Sequence, residues 1–287
     1  MRLRLWFIVP VSLVVPVLGL AQVRSFVPDL HESKWEVTAS PLECRLSQTV
    51  PFYGTATFYK RAGGKLEFTI QVLQPALRET SARLTVIPPA WKHDASPLDM
   101  GEIPVSPGRR PFHLQQTRSR RLLAELEAGM FPTLTYNDWS EGQDRVKVAL
   151  SAVNVREPLQ SFFDCTNSLL PYDFDTIRES RFFFSSGGAK LSDEAKARLD
   201  KVAAYLRADK QSHRIKLTGY TDTRGFRRYN YALGMRRAKS VQDYLVAKGV
   251  PANLFILHSK GERRPQYNNR SSRGRMMNRR VDVVVEK

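Results

Sequence analysis

Two domains are predicted, a β-rich N-terminal domain followed by an α/β sandwich, and three observations predict them. Through residues 22–170 apolar and polar residues alternate in short runs with the two-residue period of half-buried strands. From about residue 175, strand-like runs are separated by longer segments whose apolar residues recur every three or four positions, which is the helical period. The pattern changes near Pro171, and 287 residues are enough to bury two cores.

The first 21 residues stand apart. Met1-Arg-Leu-Arg4 is basic, Leu5 to Leu20 is apolar but broken by Pro10 and Pro16, and Gly19-Leu20-Ala21 ends on small residues. This is the layout of a cleavable secretory signal, with the mature chain beginning near Gln22. An uncleaved anchor helix is the alternative, disfavoured by the short run and its two prolines. No cysteine follows the cleavage point, so a lipoprotein is not expected, and no other long apolar run exists. The mature chain is therefore expected to be soluble and exported.

In residues 22–170, strands are expected at 35–38, 43–48, 55–60, 65–72, 81–87, 133–136 and 145–150. Residues 55–72 read as a hairpin turned on Gly63-Gly64. Residues 88–110, rich in proline, glycine and polar residues, read as loop. One amphipathic helix is expected at 117–128, stopped by Gly129, and another at 159–170. No Ser/His/Asp or Cys/His set has a recognisable spacing. Trp35, Trp91 and Trp139 read as packing residues, and the domain as a protein-binding one.

In residues 171–287 the order is β-α-β-α-β-β: strands at 179–184, 214–220, 254–259 and 280–285, a helix whose apolar face runs through Ala195, Leu199, Val202, Ala203 and Leu206, a second helix at 231–248, and a basic turn at 270–275. Ser192 is placed to cap the first helix, with Asp193 and Glu194 at its positive end. Gly249 and Pro251 stop the second.

Cys44 and Cys165 are the two cysteines. In an exported chain an even pair predicts a disulfide, with two buried thiols as the alternative. The bridge would close about 120 residues and stabilise by roughly 4–5 kcal/mol in the chain-entropy model. The five histidines have no ligand spacing, so neither a metal nor another cofactor is expected. The net charge is +17, concentrated in the second half around Arg224, Arg227, Arg228, Arg236, Arg263, Arg264 and Arg270. It favours an anionic envelope polymer or acidic protein face, with a plain solvated surface as the alternative; export excludes nucleic acid.

The informative stretch is Gly219-Tyr-Thr-Asp222-Thr-Arg-Gly225 running into a helix with Asn230, Leu233, Arg237 and Ala238. A carboxylate at a strand end and a guanidinium on the following helix could hold a zwitterion by charge-assisted hydrogen bonds. An internal salt bridge is the alternative. With a second block, Pro265, Asn269, Gly274-Arg275 and Asn278-Arg279-Arg280-Val281, the stretch resembles the OmpA-like peptidoglycan-binding domain. The resemblance implies noncovalent binding of the peptidoglycan stem peptide at its diaminopimelate. Asp222 would meet the ammonium and Arg237 the carboxylate, supported by Asn230 and Arg279, with Thr221 and Asn278 completing the set. The Thr221 hydroxyl and Gly225 are read as shaping the turn. Two positions depart from the family: Gly234 stands where a serine is usual, at a helix cost of up to about 1 kcal/mol, and Ser185-Ser-Gly-Gly188 replaces a more polar segment.

The N-terminal half carries a further resemblance. Trp35-Glu36, Pro41-Leu-Glu-Cys44, Pro88-Pro89 before Trp91, residues 123–129, 132–139 and 148–151, and Leu169-Leu-Pro-Tyr-Asp-Phe174 resemble the MotY family of periplasmic flagellar-motor accessory proteins. The resemblance implies that residues 22–170 dock on the basal body ring under the outer membrane, join a MotX-like partner where one is present, and help hold stator units. Residues 171–287 would tie that ring to the wall. The expected function is thus structural, not enzymatic. A general envelope-integrity protein tethering another periplasmic partner to the wall is the alternative. A wall hydrolase would need paired carboxylates or a metal, and neither is seen in the sequence.

Overall fold

The computed structural model describes residues 22–139, 144–209, 211 and 213–287. The secretory signal expected at 1–21 lies outside the described residues. Among the described residues no helix is long and apolar enough to cross a membrane.

The N-terminal domain is two five-stranded sheets closed on one core. The first sheet has the order β1 (Val23–Phe26), β10 (Arg145–Ala149), β9 (Phe131–Asn137), β6 (Thr80–Ile87) and β7 (Leu98–Val105). The second runs β2 (Trp35–Ala39), β3 (Glu43–Val50), β4 (Gly54–Arg61), β5 (Glu67–Val72) and β8 (Phe112–Leu114). All pairs are antiparallel except β1 with β10. Leu46 and Val50, Phe58, Phe68 and Ile70 face Leu84, Val86, Leu134 and Val148 across the core. Helix α1 (Gln116–Glu127) adds Leu122, Leu123 and Leu126, and α2 (Arg156–Ser168) adds Leu159, Phe162 and Cys165. A disulfide joins Cys44 to Cys165.

Two expectations in this half need correction. Residues 98–105 are not loop but strand β7. It is an edge strand, so Pro104 can sit there without removing a needed ladder donor. Gly101 at φ 81° and a register shift opposite Arg83–Thr85 break its alternation. Trp35 and Trp139 are core, but Trp91 is 57% exposed and only sets an edge against Phe131.

The C-terminal domain is a four-stranded sheet, ordered β11 (Glu179–Phe183), β14 (Arg280–Glu286), β12 (Arg214–Tyr220) and β13 (Phe255–Gly261). Only β12 and β13 run parallel. Helices α4 (Asp193–Ala208) and α5 (Arg227–Ala247) bury Leu199, Val202, Val241 and Leu245 against Ile215, Leu217, Val281 and Val283. Ser192 caps α4 by accepting the Ala195 N–H at 3.1 Å. The expected order holds with three additions: short α3 (Phe174–Arg178), a 3₁₀ turn at Ala252–Leu254, and α6 (Ser272–Asn278), which overlaps the expected basic turn.

The domains meet at a small knot. The Leu170 N–H donates to Pro41 O and the Gly63 N–H to Leu170 O, each at 3.1 Å, while Leu42 packs against the second core. Gly63 has φ 66°, and a Cβ there would lie 2.9 Å from the Asp173 nitrogen. The hairpin glycine read from the sequence thus also seats the interdomain segment.

Candidate functional site

The site forms where β12 ends. Asp222 lies two residues past the strand, beside the parallel neighbour β13, whose last residue Gly261 pairs with Tyr220. The carboxyl ends of parallel strands in an open sheet are where such folds gather ligand groups. The turn that follows requires glycine at Gly225, with φ 96°. Helix α5 then returns across the sheet at very close range. A Cβ on Gly219 would fall on the Gly234 carbonyl, and one on Gly234 would strike Ser259 Oγ and Gly219 O. The departure at Gly234 is therefore a backbone-to-backbone contact, which brings Asn230 and Arg237 up to the strand end.

Asp222 is 5% exposed. Its Oδ2 is 3.1 Å from Arg279 Nη1, and its Oδ1 accepts the Arg224 N–H at 3.2 Å. Arg279 is oriented by a second bond, from Nε to Phe184 O at 3.0 Å. Arg237 is fully buried. Its Nε donates to Gly188 O at 2.8 Å, Nη1 to Tyr220 O at 2.8 Å and Nη2 to Ser185 O at 3.0 Å. Three of its five N–H groups are thereby held by backbone carbonyls of two segments, Ser185–Gly188 and the end of β12. Burial lowers its pKa to about 10, with Asp222 acting the other way and Arg279 adding to the lowering. The guanidinium also lies 5.4 Å from the centre of the Phe184 ring. The Ser185–Gly188 segment, a departure in the sequence, is what closes over this arginine.

Asn230 is buried, and its Nδ2 donates to Glu262 Oε2. Its Oδ1 is buried and accepts no hydrogen bond among the described residues, and the Thr221 hydroxyl is likewise buried and unpartnered, so, against expectation, it makes no hydrogen bond that shapes the turn. Asn230 Oδ1 faces the turn, 3.6 Å from where a Gly225 Cβ would be. Asn278 has a different place. Its Oδ1 accepts the Gln266 and Tyr267 N–H groups at 3.1 Å, and its Nδ2 donates to Tyr267 O at 2.7 Å and Asn269 Oδ1 at 3.0 Å. Those four bonds hold the 266–269 loop and use both of its donors.

The structure thus gathers Asp222, Thr221, Asn230, Arg237 and Arg279 around one strand end, with Asn278 behind them as a loop holder. Sequence reasoning missed Glu262, which fixes the Asn230 amide. Its signal was its place directly after β13, the position parallel to the residues that follow β12. Chemically, a carboxylate beside two acceptor oxygens suits an ammonium, which carries three donors. The adjoining guanidinium groups suit a carboxylate. Among the described residues no cluster of side chains could hold a metal ion.

Two family models match the chain, one in each half. Residues 26–171 match the model of the MotY N-terminal domain, and residues 183–279 match that of the OmpA family. The sodium-type flagellar protein MotY of Vibrio parahaemolyticus is 30% identical over 265 residues, covering 91% of this chain and 90% of that protein. The peptidoglycan-associated lipoprotein of Pseudomonas putida is 43% identical over 102 residues, 36% of this chain and 60% of that protein. The solved structure of the peptidoglycan-associated lipoprotein from Burkholderia pseudomallei is 31% identical, covers 37% of this chain and 89% of its own, and has a TM-score of 0.36. With residues 26–171 matched and a relative aligned over nine-tenths of both chains, this chain belongs to the MotY family, carrying an OmpA-family domain at its C-terminal end.

Proposed function

We propose that this protein is a non-enzymatic tether of the flagellar motor in the periplasm. Residues 22–170 associate with the basal body ring under the outer membrane and support stator units, with a MotX-like partner where one exists. Residues 171–287 hold the peptidoglycan stem peptide. Two modest contacts on one chain grip better than either alone, because the second becomes intramolecular. The observation that carries the wall-binding half is the buried Asp222 carboxylate beside the unpartnered oxygens of Thr221 and Asn230. An ammonium of diaminopimelate would donate to these acceptors, and its carboxylate would lie toward Arg237 and Arg279. Because Arg237 already binds the Ser185 and Gly188 carbonyls, a ligand carboxylate reaches it through its two remaining N–H groups or by displacing that segment.

Asp222→Asn is the variant that tests this, since it removes the charge and keeps the shape. Sedimentation with purified sacculi should fall at least tenfold while the far-ultraviolet spectrum is unchanged. Cosedimentation equal to wild type would sink the assignment. The envelope-integrity alternative draws on the likeness of the second domain to peptidoglycan-associated lipoproteins. A deletion strain separates the two: non-swimming cells with intact filaments support the motor, whereas leaky cells that swim normally support the alternative.

A further inference from the structure

Phe226 occupies the N-cap of α5 with φ −80° and ψ 146°, and no side chain caps the helix there. Serine, threonine, aspartate or asparagine would accept one of the free N–H groups of the first turn. The chain instead presents a phenyl ring that is 86% exposed. The backbone that carries it is nonetheless fixed, because the Phe226 carbonyl accepts the Asn230 N–H at 2.9 Å. Steps of three and four residues lead from Phe226 through Asn230 and Leu233 to Arg237, so the ring begins the same helical stripe that carries the charged pocket.

Tyr229 widens this aromatic edge. It is 48% exposed, its Cδ1 would lie 3.6 Å from a Cβ on Gly225, and the Arg236 guanidinium sits 5.4 Å from its ring centre. The neighbours Arg224, Arg227 and Arg228 are exposed. Two exposed aromatic rings in a stretch rich in exposed arginines do not make the broad apolar patch of a protein interface. They do offer π-faces, whose negative potential attracts polarised C–H groups, together with N–H donors for hydroxyl oxygens. A pyranose ring has both features. The ligand assigned above to the adjoining pocket is a peptide attached at its first residue to a sugar.

We propose that Phe226 and Tyr229 form a stacking subsite for a sugar ring of the glycan strand, next to the charged pocket. The proposal rests on the stem-peptide reading and specifies how that ligand is presented: as peptide still joined to its glycan. It also accounts for a helix that forgoes a capping side chain in favour of an exposed ring.

The experiment compares two probes on the full mature chain by calorimetric titration. One is the disaccharide tetrapeptide of peptidoglycan. The other is the same tetrapeptide with an acetyl group on its first amine in place of the sugar. Wild type should bind the disaccharide form about fivefold more tightly, the scale of one aromatic contact. In Phe226→Thr the two affinities should converge, while the melting temperature rises because threonine supplies the missing cap. Equal affinities in wild type, or an undiminished preference in Phe226→Thr, would overturn the subsite. If wild type bound neither probe, the stem-peptide reading would fail and the subsite with it, an outcome distinct from the other two.

Discussion

Arg279 Nη1 stands 3.1 Å from Asp222 Oδ2, and it is this arginine, from the turn between α6 and β14, that neutralises the buried carboxylate. The Arg237 nitrogens bond to backbone oxygens instead. Removing Arg279 would strand a buried charge, so Arg279→Ala should lower the unfolding free energy of the C-terminal domain by about 3 kcal/mol. Urea titration followed by tryptophan-independent circular dichroism reads this directly, and a loss within ±0.5 kcal/mol would contradict it.

Arg237 ties the Ser185–Gly188 segment to the end of β12. Arg237→Ala leaves the Ser185, Gly188 and Tyr220 carbonyls without this donor, and a loss of about 3–5 kcal/mol is expected. Arg237→Lys should recover little, because one ammonium cannot reproduce a planar fork reaching three oxygens. Thermal melts of the two variants side by side check it; full recovery by lysine would be inconsistent with the geometry.

Gly234→Ala would gain up to about 1 kcal/mol of helix propensity on an open surface. Here its Cβ meets Ser259 Oγ and the Gly219 backbone. The expected outcome is net destabilisation by about 1–3 kcal/mol as α5 is pushed from the sheet. Stabilisation in a denaturant titration would show that the close approach is not tight.

Asp173 caps α3, its Oδ1 accepting from Thr176 N at 3.0 Å and Thr176 Oγ1 at 2.7 Å. The Thr176 side-chain and backbone bonds hold its carboxyl below the ordinary value of 3.8. A depressed carboxylate contributes stability above the unfolded-state pKa and loses it as pH falls through the folded one. Asp173→Ala should therefore cost about 1 kcal/mol at pH 7, with the gap from wild type closing below about pH 4. A gap that persists at pH 2 would place the contribution elsewhere.

Phe52, in the turn between β3 and β4, has φ 62° and a side chain 91% exposed. A left-handed backbone costs a non-glycine residue about 1–2 kcal/mol, and this ring recovers nothing by burial. Phe52→Gly should raise the melting temperature of the N-terminal domain by a few degrees. If the ring contributes to docking on the basal body, the same variant swims more slowly, a gain in stability joined to a loss of motility. Calorimetry and soft-agar spreading measure the two.

Much of this architecture was legible in the sequence because burial imposes a period. In β3 every second residue is buried, and in α5 Leu233, Ala238, Val241 and Leu245 are. Where packing imposes no period the reading failed. Strand β7, at a sheet edge with Gly101 and Pro104, looked like loop, and seven-residue α6 looked like a turn. At the site, the motif residues were readable by type and spacing. Which arginine would face Asp222 was not, because that depends on how the end of α6 lies against the end of β12. Glu262 was missed for the same reason: its neighbour Asn230 is 32 residues away in the chain.

The knot at Pro41, Leu42, Gly63 and Leu170 also has a mechanical side. Cys44 is two residues beyond Leu42, and Cys165 is five before Leu170, so the disulfide sits at the point where the chain passes from one domain to the other. If the two domains are pulled apart, tension enters the N-terminal domain through the end of α2. Without the bridge, α2 could peel from β2 and β3 one contact at a time. With it, the load passes at once into β3, in the interior of a sheet whose strands must then be sheared together rather than unzipped.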